Sequence, residues 1–402
     1  MVPKVGSHNP ALDGIRGIAI ILVMIYHSLL FTRISMTVAS DKLYYRIVNS
    51  YWLGVDIFFV LSGFLITGLL YDTRENRRFF TTFYARRALR IFPVYYAALF
   101  VLFWIRPFFA ASQELTRISM QGQLWYWGYA ANLLIAMKGW SPFSLGLLDH
   151  YWTLAVEEQF YLIWPLIVFF FRRCTLIIIC GIGIVVSLGL RVALVSTGHI
   201  VPAYVLTFAR MDTLAVGALI ALVARDPRGF SLLAKLAWPV AGATSVGLLA
   251  IALRRGGLFK SDPIVLSIGL TLLAFLGGAL IVLASVSHAT TPLGKILGSA
   301  SLRFFGRHSY ALYVFHQPVF IWLYGHAIKP AKFPSFMGSE LPGEAAFMSI
   351  AVSLSLVLAL LSSRFLERPF LRLKELFPYD SHASVPRGRR VPATDIQAEH
   401  VL

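Results

Sequence analysis

"LWYWGYAANLLIAM", residues 124–137, decides how this chain is threaded. The stretch is apolar, but it falls short of the roughly 20 residues that a spanning helix needs, and Trp125, Tyr126, Trp127 and Tyr129 crowd its first half. Around it, ten other apolar runs can be placed, at 13–31, 52–71, 91–105, 152–171, 175–195, 204–224, 232–253, 264–286, 308–327 and 345–366. With those ten as spans and the N-terminus inside, the cytoplasmic loops and tails carry 20 Lys/Arg and the outer loops 11, as the positive-inside rule requires. Counting 124–137 as an eleventh span inverts everything after it and leaves 12 inside against 18 outside. It is therefore read as an interfacial or re-entrant segment on the outer side, its aromatic rings at headgroup level.

Composition sets the class around that choice. Of 402 residues, 57% are hydrophobic and 14% charged, and the mean hydropathy of +0.71 lies far outside the soluble range. The expected fold is all-α, a polytopic integral membrane protein of about ten transmembrane helices with both termini cytoplasmic. The net charge of +17 then belongs to cationic loops against anionic lipid, not to a nucleic-acid site. Cys174 and Cys180 are the only cysteines and share one apolar run, which gives neither a disulfide framework nor a metal site. The first apolar run has the length of a signal peptide, but Arg16 and His27 would be out of place in one, so a retained helix is expected. Residues 1–377 read as the membrane domain. The tail 378–402, with Pro, Ser and Arg and little apolar content, reads as a disordered basic cytoplasmic end.

Ionisable groups inside spans are costly and usually face a cavity or a partner, so their depth is informative. At about 1.5 Å per residue, His27, Asp56, Glu157, Glu158, Arg210 and Asp212 all come out roughly 18–22 Å above the cytoplasmic ends of their helices, in one layer of the outer half. Arg210 and Asp212 point to different sides, so at least one belongs to a structural pair, and Asp56 is a candidate partner for Arg210. Arg16 and His27 are eleven residues apart, nearly three turns. They share a face of the first helix with about 16 Å between their backbones. "RENRRFFTTFYARRALRIFP" (74–93) is expected as a cytoplasmic loop that ends at Pro93, where the third helix begins. It adds Arg74, Arg77, Arg78, Arg86, Arg87 and Arg90 to the rim near Arg16. Guanidinium forks suit phosphates, so this rim is a candidate anchor for a phosphorylated donor whose reactive end extends toward His27. Tyr310, Tyr313 and His316 fall on or near one face of the ninth helix, and Glu367, before Pro369 in "SSRFLERP", is placed to meet the arginines. Ser62 in "LSGF" lacks a nucleophile-elbow pattern and reads with Gly63 as a helix-packing pair. Trp140 and Trp152 read as interface-belt residues.

In order, "LDGIRGIAIILVMIYH", "GVDIFFVLSGFLIT", "FYARRALRIFPVYY", "WTLAVEEQFYLIWP", "RMDTLAVG", "GRHSYALYVFHQP" and "FLERP" resemble the acyltransferase 3 family of bacterial membrane O-acyltransferases, over about 8–372. The resemblance implies a multi-pass protein of the bacterial cytoplasmic membrane. It would move an acyl group, commonly acetyl, from cytoplasmic acyl-CoA to a hydroxyl on a glycan, lipid-linked saccharide or small molecule. It implies no permanently bound cofactor, acyl-CoA being a co-substrate. It maps the central Arg and His onto Arg16 and His27, the arginine motif onto Arg86, Arg87 and Arg90, and the late glutamate onto Glu367. Some family members carry a further soluble hydrolase-like domain, which is not expected here.

The residues suit that chemistry on their own. A neutral imidazole near physiological pH can take a hydroxyl proton, so His27 is the candidate base, with Asp56 to hold its tautomer as a triad carboxylate does. Alternatively His27 attacks the thioester and carries the acyl group. Glu157, Glu158, Arg210, Asp212, Tyr313 and His316 are candidates for the acceptor site or for support behind it. No metal ligand set is expected, and the oligomeric state is left open. Two other readings remain. One is a proton-coupled transporter or flippase of an anionic or glycan substrate; the other is an acyltransferase acting on a cytoplasmic small molecule such as a macrolide sugar.

Overall fold

The computed structural model describes residues 9–31, 34–106, 122–140 and 146–379; the expected tail 378–402 lies outside them from residue 380 onward. The first helix, α1 (Pro10–Ser28), begins where Asn9 accepts the backbone N–H of Ala11 at 3.0 Å and Pro10 presets the first turn. A short amphipathic α2 (Ala39–Val48) leads to α3 (Gly54–Thr73) and α4 (Phe79–Phe100), the last continued by a π-helical turn at Val101–Ile105. Beyond these lie α5 (Gln123–Trp127), α6 (Ala131–Lys138), α7 (Trp152–Phe170), α8 (Arg173–Ser196), α9 (Ile200–Val205), α10 (Met211–Val223) and α11 (Pro227–Arg255). These are followed by α12 (Leu270–Val286), α13 (Pro292–Leu297), α14 (Ala300–Arg307), α15 (Ser309–His326), α16 (Leu341–Ser362) and the short α17 (Arg368–Arg372). Among the described residues the only strand-like pairing is one isolated bridge, Phe336 to Ser339. The protein is an all-α, multi-pass membrane protein. Eight helical segments are long and apolar enough to cross a bilayer. Two of the ten expected spans fall outside that set: 204–224 shrinks to the 13-residue α10, and 308–327 corresponds to α15, which carries His316 and Gln317 in its middle.

Two boundaries depart from expectation. The segment 74–93 is not a loop ending at Pro93, because α4 starts at Phe79 and Pro93 lies inside it. Proline removes one N–H, whereas unravelling the segment would strand several backbone groups; in an apolar slab the helix wins. Arg86, Arg87 and Arg90 consequently stand on a helix, two to three turns in from its start. The 204–224 run is likewise broken between α9 and α10, which leaves Arg210 at the N-cap of α10.

The 124–137 segment forms no continuous helix. It breaks after α5, with Tyr129 in the left-handed region at φ 51°. Side chains from neighbouring spans collect the carbonyls that the break releases. The Tyr95 hydroxyl donates to Tyr126 O at 2.7 Å, the Tyr96 hydroxyl to Trp127 O at 3.3 Å, and Gln159 Nε2 to Tyr129 O at 2.9 Å. Elsewhere small residues set the packing. A Cβ on Gly63 would sit 2.0 Å from Leu214 O and one on Gly217 2.0 Å from Val60 O, so α3 and α10 touch backbone to backbone.

Candidate active site

The six ionisable groups expected in one layer separate into distinct clusters, because the face a residue occupies matters as much as its depth. Asp56 on α3 is turned away from His27 and pairs with Arg210, both side chains fully buried. Arg210 is bedded among the rings of Phe59, Trp152 and Tyr204, 5.2–5.8 Å from their centroids. Trp152, at 3% exposure, is therefore core and not an interface-belt residue. Asp212 takes a different partner, Arg191 of α8, through two bonds of 2.9 and 2.6 Å, with Thr271 completing the group. Sequence reasoning passed over Arg191, although an arginine in mid-span is itself a signal. The expected Asp56–His27 contact is thus absent, and Asp56 and Asp212 each hold one end of a buried ion pair.

Glu157 and Glu158 go to another place. They line a narrow cavity of about 120 Å³ with Arg16 from α1, Ser62 from α3, Arg87 and Arg90 from α4, Tyr161 from α7, and Tyr310 and Tyr313 from α15. Three guanidinium groups meet two carboxyl groups there, and the wall turns apolar at Val55, Phe58, Phe59 and Ile91. Arg87 lies flat on the Tyr161 ring, 3.7 Å from its centroid. The Ser62 hydroxyl donates to Glu157 Oε1 at 2.6 Å; it is Gly63 beside it that makes the close helix contact. Arg16 bonds Asp13 at 3.4 Å and remains 18% exposed. Arg86 points elsewhere, donating to Lys374 O at 3.0 Å and Phe377 O at 3.1 Å and stacking over Tyr379. Glu367 ends the π-helical turn Ser363–Glu367 and interacts electrostatically with Arg90.

At its far end the cavity stops at Tyr313, whose hydroxyl donates to His150 O at 2.9 Å and bonds Thr153 Oγ1 at 2.6 Å. Behind that wall are three imidazoles. The His27 ring lies 4.9 Å from that of His316 and 6.1 Å from that of His150, with 4.8 Å between the latter two. His27 is thus held among rings. The acceptors around them assign the tautomers of neutral rings. His316 Nδ1 faces the carbonyls of Leu312 and Tyr313 at 3.1 and 2.8 Å, so it carries the proton and its Nε2 accepts. That Nε2 lies 3.2 Å from His27 Nδ1, which also faces Val23 O at 2.9 Å; the His27 proton therefore sits on Nδ1. His27 Nε2 keeps its lone pair, and none of the described residues bonds it. His150, 3% exposed, has no hydrogen-bond partner for either nitrogen among the described residues. Nothing in the periodicity marks it, since it stands just ahead of the span it belongs with. Among the described residues no group of three or more His, Cys, Asp or Glu has the arrangement to hold a metal ion, these three rings included.

The model of a family described as an acyltransferase domain matches residues 9–364. Peptidoglycan O-acetyltransferase OatA of Listeria monocytogenes is 29% identical over 376 residues, which is 90% of this chain and 56% of that protein. O-acetyltransferase OatA of Staphylococcus aureus is 27% identical over 383 residues, 90% of this chain and 57% of that protein. The chain thus spans little more than half the length of these relatives. No solved structure matches.

Proposed function

The chain belongs to the acyltransferase domain family, and on that premise we propose that it is a membrane O-acyltransferase moving an acyl group, acetyl by analogy with its relatives, from acyl-CoA to a glycan hydroxyl. In this reading the bilayer is the bacterial cytoplasmic membrane. The CoA phosphates meet Arg16, Arg87 and Arg90, with Glu367 setting the pose of Arg90, and the thioester reaches His27 by displacing the Tyr313 side chain that stands between the cavity and the imidazoles. His27 Nε2 removes the acceptor hydroxyl proton as that oxygen adds to the thioester carbonyl carbon. The tetrahedral adduct then collapses, the C–S bond breaks, and the departing thiolate takes the proton back from His27, leaving ester and CoA. His316 fixes which nitrogen of His27 is free, a positioning role that the sequence assigned to Asp56. Peptidoglycan, the substrate named for the Listeria relative, is the acceptor class to try first.

The observation that carries this reading is the unbonded His27 Nε2, three turns up one helix face from an arginine-lined cavity. Purified protein in lipid nanodiscs, given acetyl-CoA and glycan, should release CoA only when the acceptor is present, and His27→Ala should lower that rate by at least about 10²-fold. Equal release by wild type and His27→Ala would overturn the assignment. Uptake of a glycan driven by a proton gradient, with the thioester intact, would install the transporter reading instead.

A further inference from the structure

Outside the lining of the arginine cavity, beside Tyr26, stands a cation with no counter-charge among the described residues. Lys260, in the loop between α11 and α12, places its ammonium 4.5 Å from the Trp140 ring centroid, 5.4 Å from Tyr26 and 6.0 Å from Tyr204. Among the described residues it has neither an ion pair nor a hydrogen bond. The acidic residue nearest in sequence, Asp262, is already committed, to Arg255 Nε at 2.5 Å and to the backbone N–H groups of Ile264 and Val265. The loop is pinned as well, because Trp52 Nε1 donates to Leu258 O at 2.9 Å. Tyr26 connects this lysine to the reacting centre, its ring lying 5.3 Å from that of His27. Aromatic faces hold an ammonium without consuming its N–H donors, so those donors remain for an anion. Trp140, 38% exposed, offers beside it a flat face of the kind sugars stack on.

We propose that Lys260 and Trp140 form an acceptor subsite that selects a sugar carrying a negative charge and presents its hydroxyl to His27. This rests on the transfer reading above and adds the charge of the acceptor to it. No bond is made or broken at the subsite; its contribution is binding.

The test is acceptor-dependent CoA release by the full chain in nanodiscs, with acetyl-CoA and two acceptors: the N-acetylglucosaminyl–N-acetylmuramic acid disaccharide and its methyl ester, which lacks the charge. Wild type should show a KM for the acid at least about 10-fold below that for the ester, the scale of a charge-assisted hydrogen bond. Lys260→Met should raise the KM for the acid to that for the ester while leaving kcat and the KM for acetyl-CoA within about threefold. Lys260→Arg, which keeps the charge, should retain most of the preference. Equal KM values for acid and ester in the wild type, or a rise for both in Lys260→Met, would overturn the subsite and leave the transfer reading standing. No CoA release from wild type with either acceptor would instead strike at the transfer reading, and the subsite would fall with it.

Discussion

Arg87 shows what an arginine does in the cavity that a lysine cannot. Its planar guanidinium lies 3.7 Å from the centroid of the Tyr161 ring and can stack there while its edge still offers donors to a phosphate, whereas an ammonium is a point charge on a flexible stem. Arg87→Lys, although it conserves charge, should therefore weaken acetyl-CoA binding by about 3- to 30-fold, the worth of a partly desolvated cation–π contact. Titration of the purified protein with acetyl-CoA measures this, and an unchanged Kd would show that the stacking is only packing. At this scale the sequence was most legible where one helix carries both residues. The eleven-residue interval from Arg16 to His27 fixes a shared face whatever the rest of the fold does. It was least legible where partners come from different helices. His316 was visible as a candidate, but not as the neighbour of His27 Nδ1, and His150 joins the same cluster from outside any span.

Between elements, α3 and α10 are fastened twice: by the Gly63 and Gly217 backbone contacts and by the buried Asp56–Arg210 pair. Removing one partner of a buried pair leaves the other charge uncompensated, at a cost of about 3–5 kcal/mol. Asp56→Ala should accordingly lower the thermal midpoint and membrane yield by a large margin, and Arg210→Ala added to it should cost less than the sum of the two single changes, as expected for coupled neighbours. A folded Asp56→Asn protein that loses turnover alone would return Asp56 to the role beside His27. The helix-level misreading has a clear origin. Proline ahead of an apolar run marks the start of a helix in water, where a frayed N-terminal segment is solvated. Here proline removes a single N–H whereas unravelling 79–92 would strand several backbone groups, so α4 runs through Pro93 and takes its arginines with it. That displacement turns an expected rim into a cavity wall.

For the molecule as a whole, direction is the property on which a CoA-fed reaction depends. Were acyl-CoA the donor, as proposed above, it would arrive from the cytoplasm, and the end of the bundle where α1 begins and the arginine cavity opens would face inward. The loop charges predict that orientation, and alternation along the spans carries it to sites far from the cavity. Cys174, exposed at the start of α8, falls at the same end as the start of α1. Lys329, exposed after α15, falls at the opposite end. A membrane-impermeant maleimide should therefore label native Cys174 in inverted vesicles and not in spheroplasts. In a Cys174→Ser background, Lys329→Cys should be labelled in spheroplasts alone. Cys180, 1% exposed, should stay unlabelled in both until the protein is denatured. The decisive result is the reverse pattern, because Arg16, Arg87 and Arg90 would then open to a compartment without acyl-CoA. His27 would keep its free nitrogen, but no thioester would arrive from below to meet it.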